Sequence, residues 1–149
     1  MLIYPQHRRF TKEDLRITIS AAITMTKTEM LQRTKAFALR VIKAVRALPE
    51  KDDVAGVLGR QLLRSGTSVG ANYRAVCRAK STADFINKLK IVEEECDESL
   101  YWMELLVESG SMVASRLEAL MQEADELLAI TVAALRTTRL NRKSEVGKS

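Results

Sequence analysis

Apolar residues return every three or four positions along most of this chain, and the returns fall into four blocks separated by short breaks. The first block carries Leu31, Ala38, Val41, Ile42, Val45 and Leu48, with Lys35, Arg40, Lys43 and Arg46 between them. It predicts a helix that starts at Thr26 to Thr28 and stops at Pro49. Thr26 and Glu29 have the capping-box spacing, in which a hydroxyl and a carboxylate each accept a free backbone amide. Glu50-Lys51-Asp52-Asp53 forms the turn, and Asp52 or Asp53 can cap the next helix. The second block runs over about 54–80, with Leu58, Leu62, Val69, Tyr73 and Val76 on one face. Ser81 and Asp84 repeat the capping spacing. They open a third helix whose seam is Phe85, Leu89, Val92, Cys96, Leu100 (or Ser99), Met103 and Leu106. Gly110 ends it, and Ser111 or Ser115 begins a fourth. There Leu117, Leu120, Met121, Ala124, Leu127, Leu128, Thr131, Ala134, Leu135 and Thr138 give the cleanest period of the chain.

Four amphipathic helices joined by short turns predict an all-α domain, an antiparallel up-down four-helix bundle over residues 26–138. Residues 1–25 are a poorly patterned extension. Within it, 15–23 alternates as a weak strand or a loose helix, and Met25 is a candidate natural start. Residues 139–149 are expected to be a basic, disordered tail.

The second helix is costly to build. Gly56, Gly59, Gly66 and Gly70 each lower helix stability by about 1 kcal/mol relative to alanine. Close approach of a neighbouring helix is the available gain, and Gly66 and Gly70 have the small-x-x-x-small spacing that permits it. A break of the helix near Gly66 is the alternative. Surfaces that permit close helix approach also permit oligomers.

Composition adds little to the fold but much to the surface. A chain of 149 residues suits one domain, and no proline follows Pro49. The net charge of +5 is compatible with a polyanionic partner and equally with a solvated surface. Its distribution says more. The stretch 60–80 contains no acid, whereas the third helix carries Glu93, Glu94, Glu95, Asp97, Glu98, Glu104 and Glu108. Adjacent antiparallel helices of opposite sign attract, which favours register more than stability, since exposed pairs contribute only a few tenths of a kcal/mol.

On a helix, Arg60, Arg64, Arg74 and Arg78 fall within roughly 80° of one another. With Lys80 they form the candidate binding set. Guanidinium groups at this spacing suit the phosphates of RNA or DNA, or an acidic protein surface; pairing with the third helix, or simple solvation, would also account for them. Catalytic constellations are missing. The one histidine is His7, neither Cys77 nor Cys96 has a CxxC partner, and no phosphate-binding glycine loop or Glu-x-x-His pair occurs. The sequence therefore predicts no enzyme, cofactor or metal. Glu95, Ser99 and Trp102 near the third seam are expected to be structural. Cysteines within helical patterns predict buried free thiols and a reducing cytoplasm. No apolar run is long enough to cross a bilayer, and the start lacks the pattern of a signal peptide.

Three segments carry a resemblance: Gln61-Leu-Leu-Arg-Ser-Gly-Thr-Ser-Val-Gly-Ala-Asn-Tyr-Arg74, Ala79-Lys-Ser-Thr-Ala-Asp-Phe85 and Glu94-Glu-Cys-Asp-Glu-Ser-Leu-Tyr-Trp102. They resemble the four-helix bundle proteins of the 23S rRNA intervening-sequence type, bacterial proteins encoded in insertions of large-subunit ribosomal RNA genes or elsewhere in the genome. The resemblance spans about 28–138, and its most specific run is Arg64, Ser65, Ser68, Ala71 and Asn72. It implies a homopentameric barrel of up-down bundles. A related protein, the accessory protein of diversity-generating retroelements, is a basic pentamer that binds a reverse transcriptase and associates with nucleic acid. Ala75 stands where the family often has Glu, which leaves the arginine stripe more basic. Ser68 and Asn72, four apart, are expected to hydrogen-bond at a helix interface.

Overall fold

The computed structural model describes residues 25–147, together with Glu13. Its four helices are α1 (Lys27–Arg46), α2 (Asp53–Val76), α3 (Thr82–Glu108) and α4 (Ala114–Val146). His7 and the alternating stretch 15–23 lie outside the described residues.

Local signals account for most of the boundaries. The Thr26 hydroxyl accepts the Glu29 amide at 3.2 Å and the Glu29 carboxylate accepts the Thr26 amide at 2.6 Å, which completes the box at the start of α1. Asp52, of the two candidates, caps α2 by accepting the Ala55 amide at 3.0 Å. Ser81 caps α3 by accepting the Asp84 amide at 3.1 Å. Gly110 ends the α3 turn with φ +78, a conformation that favours glycine, and its amide donates to Val107 O at 3.0 Å. The helix α4 starts at Ala114, between the two serines expected to open it; Ser111 instead donates its hydroxyl to Asp52 Oδ2 at 3.2 Å.

Two helix ends differ from the sequence expectation. α2 stops at Val76 rather than Lys80. The amides of Arg78 and Ala79 turn back to Ala75 O and Val76 O, and Ser81 then starts α3. α4 continues past Thr138 to Val146, so residues 139–146 are helical where a disordered tail was expected. The segment is polar, but it is rich in Arg, Leu, Lys and Glu, good helix formers, and meets no glycine before Gly147.

The core runs the length of the bundle, from Phe37, Val41, Leu62 and Val69 through Leu89, Val92, Met103 and Leu106 to Leu117, Met121 and Leu127. Each such side chain contributes about 1.5–3 kcal/mol on burial. In α1 the buried stripe is Met30, Thr34, Phe37 and Val41; Leu31, Ala38 and Ile42 are only half-buried at its edge. Thr34 hides the true stripe from a hydropathy reading. Its buried hydroxyl is satisfied by donating to Met30 O at 2.9 Å.

Each helix packs on its neighbours in the chain, and α1 also meets α4. An added Cβ at Gly59 would meet Val45 and Leu48, at Gly66 it would meet Val41, and at Gly70 it would meet Thr34. Contacts that ascend α2 thus descend α1, and the two helices run in opposite directions. Across α2 and α3, Ser65 meets Ser99 near the middle and Asp52 meets Ser111 at one end. These contacts give the same alternation.

Candidate nucleic-acid interface

α2 has two packed sides and one free face. Gly66 is the closest point on the α1 side: a Cβ there would stand 2.7 and 2.9 Å from the Val41 methyls. α2 is unbroken at that point, so the glycines are explained by the approach of α1 within the same chain. At Gly56, by contrast, a Cβ would have only Arg60 for company, at 3.5 Å.

The side towards α3 is polar. The buried hydroxyls of Ser65 and Ser99 meet at 3.0 Å, and Ser99 donates to Glu95 O at 2.7 Å. Arg64 donates to Glu98 Oε1, the same oxygen that accepts Trp102 Nε1–H at 3.0 Å. Arg64 also lies 3.6 Å from Glu95 Oε2, a buried oxygen with no hydrogen-bond partner. The two carboxyls respond oppositely. The Arg64 guanidinium, helped by Trp102, holds Glu98 below its ordinary range, while burial pushes Glu95 up against the pull of Arg64. Trp102 is half-buried and stacks edge-to-face with Tyr101 at 5.0 Å, so its ring serves packing and its N–H serves Glu98.

The candidate cations therefore divide. Arg64 is committed to α3. Arg60 and Arg74, on α2, and Arg78 and Lys80, in the turn after it, are exposed, and their side chains form no ion pair among the described residues. The early end of α2 takes Arg78 and Lys80 off the helical stripe and puts them in the α2–α3 connection.

Among the described residues, the hydrogen bonds that Ser68 and Asn72 donate stay within α2. The Ser68 hydroxyl donates to Arg64 O at 2.7 Å and Asn72 Nδ2 donates to Ser68 O at 2.9 Å, both within α2. The carbonyl four residues back is the nearest acceptor for such short side chains, and it wins over a neighbouring helix.

Sequence reasoning missed Lys27 and Arg33. Lys27 Nζ donates to Cys77 O at 3.1 Å, which brings a further cation to the connection that holds Arg78 and Lys80. Lys27, Tyr73, Cys77, Lys80 and Phe85 line an open cleft of about 530 Å³ at this end of the bundle. Arg33 Nε donates to Glu123 Oε1 at 2.7 Å, and its second nitrogen pairs with Glu126, tying α1 to α4. Neither residue has a periodic signal. Burial pushes the Tyr73 hydroxyl and the Cys96 thiol up to about 12 each, so Cys96 is a packed thiol and no nucleophile. Cys77, also a free thiol, is only half-buried. Among the described residues no group of three or more His, Cys, Asp or Glu could hold a metal ion, and no helix is long and apolar enough to cross a membrane.

Fold and surface together define a four-helix bundle with a polar α2–α3 seam and exposed cations that form no ion pair among the described residues. Comparison with known proteins makes the class specific: residues 26–133 match the family of 23S rRNA-intervening sequence proteins, and the chain belongs to that family. It is similar to a protein of unknown function from the S23 ribosomal protein family of Bacteroides thetaiotaomicron VPI-5482, known from its crystal structure. The two are 32% identical with a TM-score of 0.69, over 75% of this chain and 99% of the other. No curated protein matches the chain.

Proposed function

We propose that the protein is a non-catalytic RNA- or ribonucleoprotein-binding subunit of the bacterial cytoplasm that works as a homo-oligomer, a pentamer. The observation that carries the binding reading is the division of the cations. Arg64, itself exposed, is paired with Glu98 of α3, whereas Arg60, Arg74, Arg78 and Lys80 are exposed and form no ion pair among the described residues. Exposed cations outside ion pairs are available to a phosphate backbone, and each phosphate neutralised releases counterions. A family named for 23S rRNA intervening sequences agrees with an RNA partner. Self-association is supported by apolar side chains left outside the bundle, among them Leu39, Val54, Val57 and Val113.

Binding of the purified protein to a structured ribosomal RNA fragment across a salt series tests the first part. Affinity that falls steeply with salt supports it, and no binding at low salt contradicts it. Light scattering tests the second, and a monomer at micromolar concentration contradicts the pentamer. A second reading, an accessory subunit for an acidic protein such as a reverse transcriptase, is favoured by the exposed Val132 and Leu140, which a phosphate backbone would leave unused.

A further inference from the structure

The far half of α4 carries a surface that the arginine face of α2 does not explain. Arg136, Arg139 and Lys143 rim a groove of about 310 Å³ that Glu93 of α3 closes on one side. Its apolar wall is Val132, Leu135 and Leu140. Leu135 is buried in the core, but Leu140 is 60% exposed and Val132 41%. Thr138 shares a cleft with Ser81 and Thr82 at the start of α3, so α4 runs on beyond the level where α3 begins. Leu140 thus stands on ordered helix, exposed, beyond the level where the neighbouring α3 begins, with no other helix over it among the described residues.

We propose that this groove docks an amphipathic helix of a protein partner, one whose apolar side chains lie on Val132 and Leu140 and whose carboxylates meet Arg136, Arg139 and Lys143. Charge complementarity and the apolar wall point to this occupant together. A nucleic acid would use the cations but leave Leu140 against water, and would find no aromatic ring in the groove to stack on. A helix laid along α4 buries its own apolar stripe, and the flanking charges set its orientation.

The test uses the full chain and a fluorescent synthetic helix with leucines at i, i+3 and i+7 flanked by glutamates, read by anisotropy. Saturable binding is expected. It should weaken at least about tenfold, the size carried by one buried anchor, in Leu140→Asp, and comparably in Arg139→Glu. A peptide with lysines for the glutamates should regain affinity for Arg139→Glu and not for the parent protein. Circular dichroism should be unchanged in both variants, because neither side chain belongs to the core. No saturable binding, or equal binding of a peptide with serines for the leucines, overturns the proposal. If Leu140→Asp weakens RNA binding the groove belongs to nucleic acid, and if it lowers the oligomer mass the groove belongs to a second copy; either result also overturns it.

Discussion

α2 meets its two neighbours by opposite means. Towards α1 it removes side chains, so that Gly66 and Gly70 let Val41 and Thr34 come against the backbone. Towards α3 it supplies polar groups, with Ser65 on Ser99 and Arg64 on Glu98. The first contact depends on shape and tolerates almost no change of volume. The second depends on satisfied hydrogen bonds and charges, and its energy is the small difference between pairing and desolvation. One helix thus carries a stiff seam and an adjustable one, and its third face is exposed.

The sharpest way to break this contrast is to add volume on the stiff side. Gly66→Leu should destabilise the fold by about 3 kcal/mol, because Val41, β-branched and held at its own Cβ, cannot swing away. Gly66→Ala should still lower the melting temperature by several degrees despite the better helix propensity of alanine. Gly56→Ala, with only ordinary contact at 3.5 Å, should raise stability by about 0.5–1 kcal/mol. Equal effects at the two glycines in thermal melts would remove the close-approach account.

On the polar side the effects are smaller. Ser99→Ala should cost about 1 kcal/mol, and adding Ser65→Ala should cost little more, since the pair is then lost together. Denaturant unfolding of the two single variants and the double variant measures this; strict additivity would mean that the hydroxyls do not act as a pair.

The smallest and most diagnostic effect is the pH dependence. Glu98 is held low, so its stabilisation is present above the ordinary carboxylate range and is lost as pH falls through its folded pKa. Glu95 is pushed up, so its contribution has the opposite sign: it is present at low pH and lost as pH rises through the folded pKa. At neutral pH Glu98→Gln should lower the melting temperature and Glu95→Gln should raise it. As pH falls, the Glu95 difference should vanish below the ordinary carboxylate range, and the Glu98 difference should persist further, vanishing only below its lowered folded pKa. Shifts of the same sign would contradict the assignment of Arg64 to Glu98.

The helices and most of their ends were legible because capping is local. Thr26 with Glu29 and Ser81 with Asp84 announce themselves within four residues. Gly66 and Gly70 were legible as a close approach because nothing else justifies two glycines inside a helix, although only the fold identifies α1 as the neighbour. What was not legible depends on three dimensions. A buried threonine displaced the stripe of α1 by one position, and its satisfaction by Met30 O has no sequence signature. The end of α4 was misplaced because polarity is a weak guide to order when no residue breaks the helix. Among the arginines, nothing in the helical pattern separates Arg64 from Arg60 and Arg74. Whether a guanidinium is free depends on which helix lies across from it.

That separation is the central claim, and salt-dependent RNA binding tests it most directly. The slope of log affinity against log salt should shrink by about 3 when Arg60, Arg74, Arg78 and Lys80 are together replaced by Gln, since each phosphate contact contributes about 0.7–0.9. Arg64→Gln should leave the slope unchanged and lower the melting temperature instead. A slope that responds to Arg64→Gln, and not to the other four, would show that the internal pair opens to bind and that the exposed cations are only solvated.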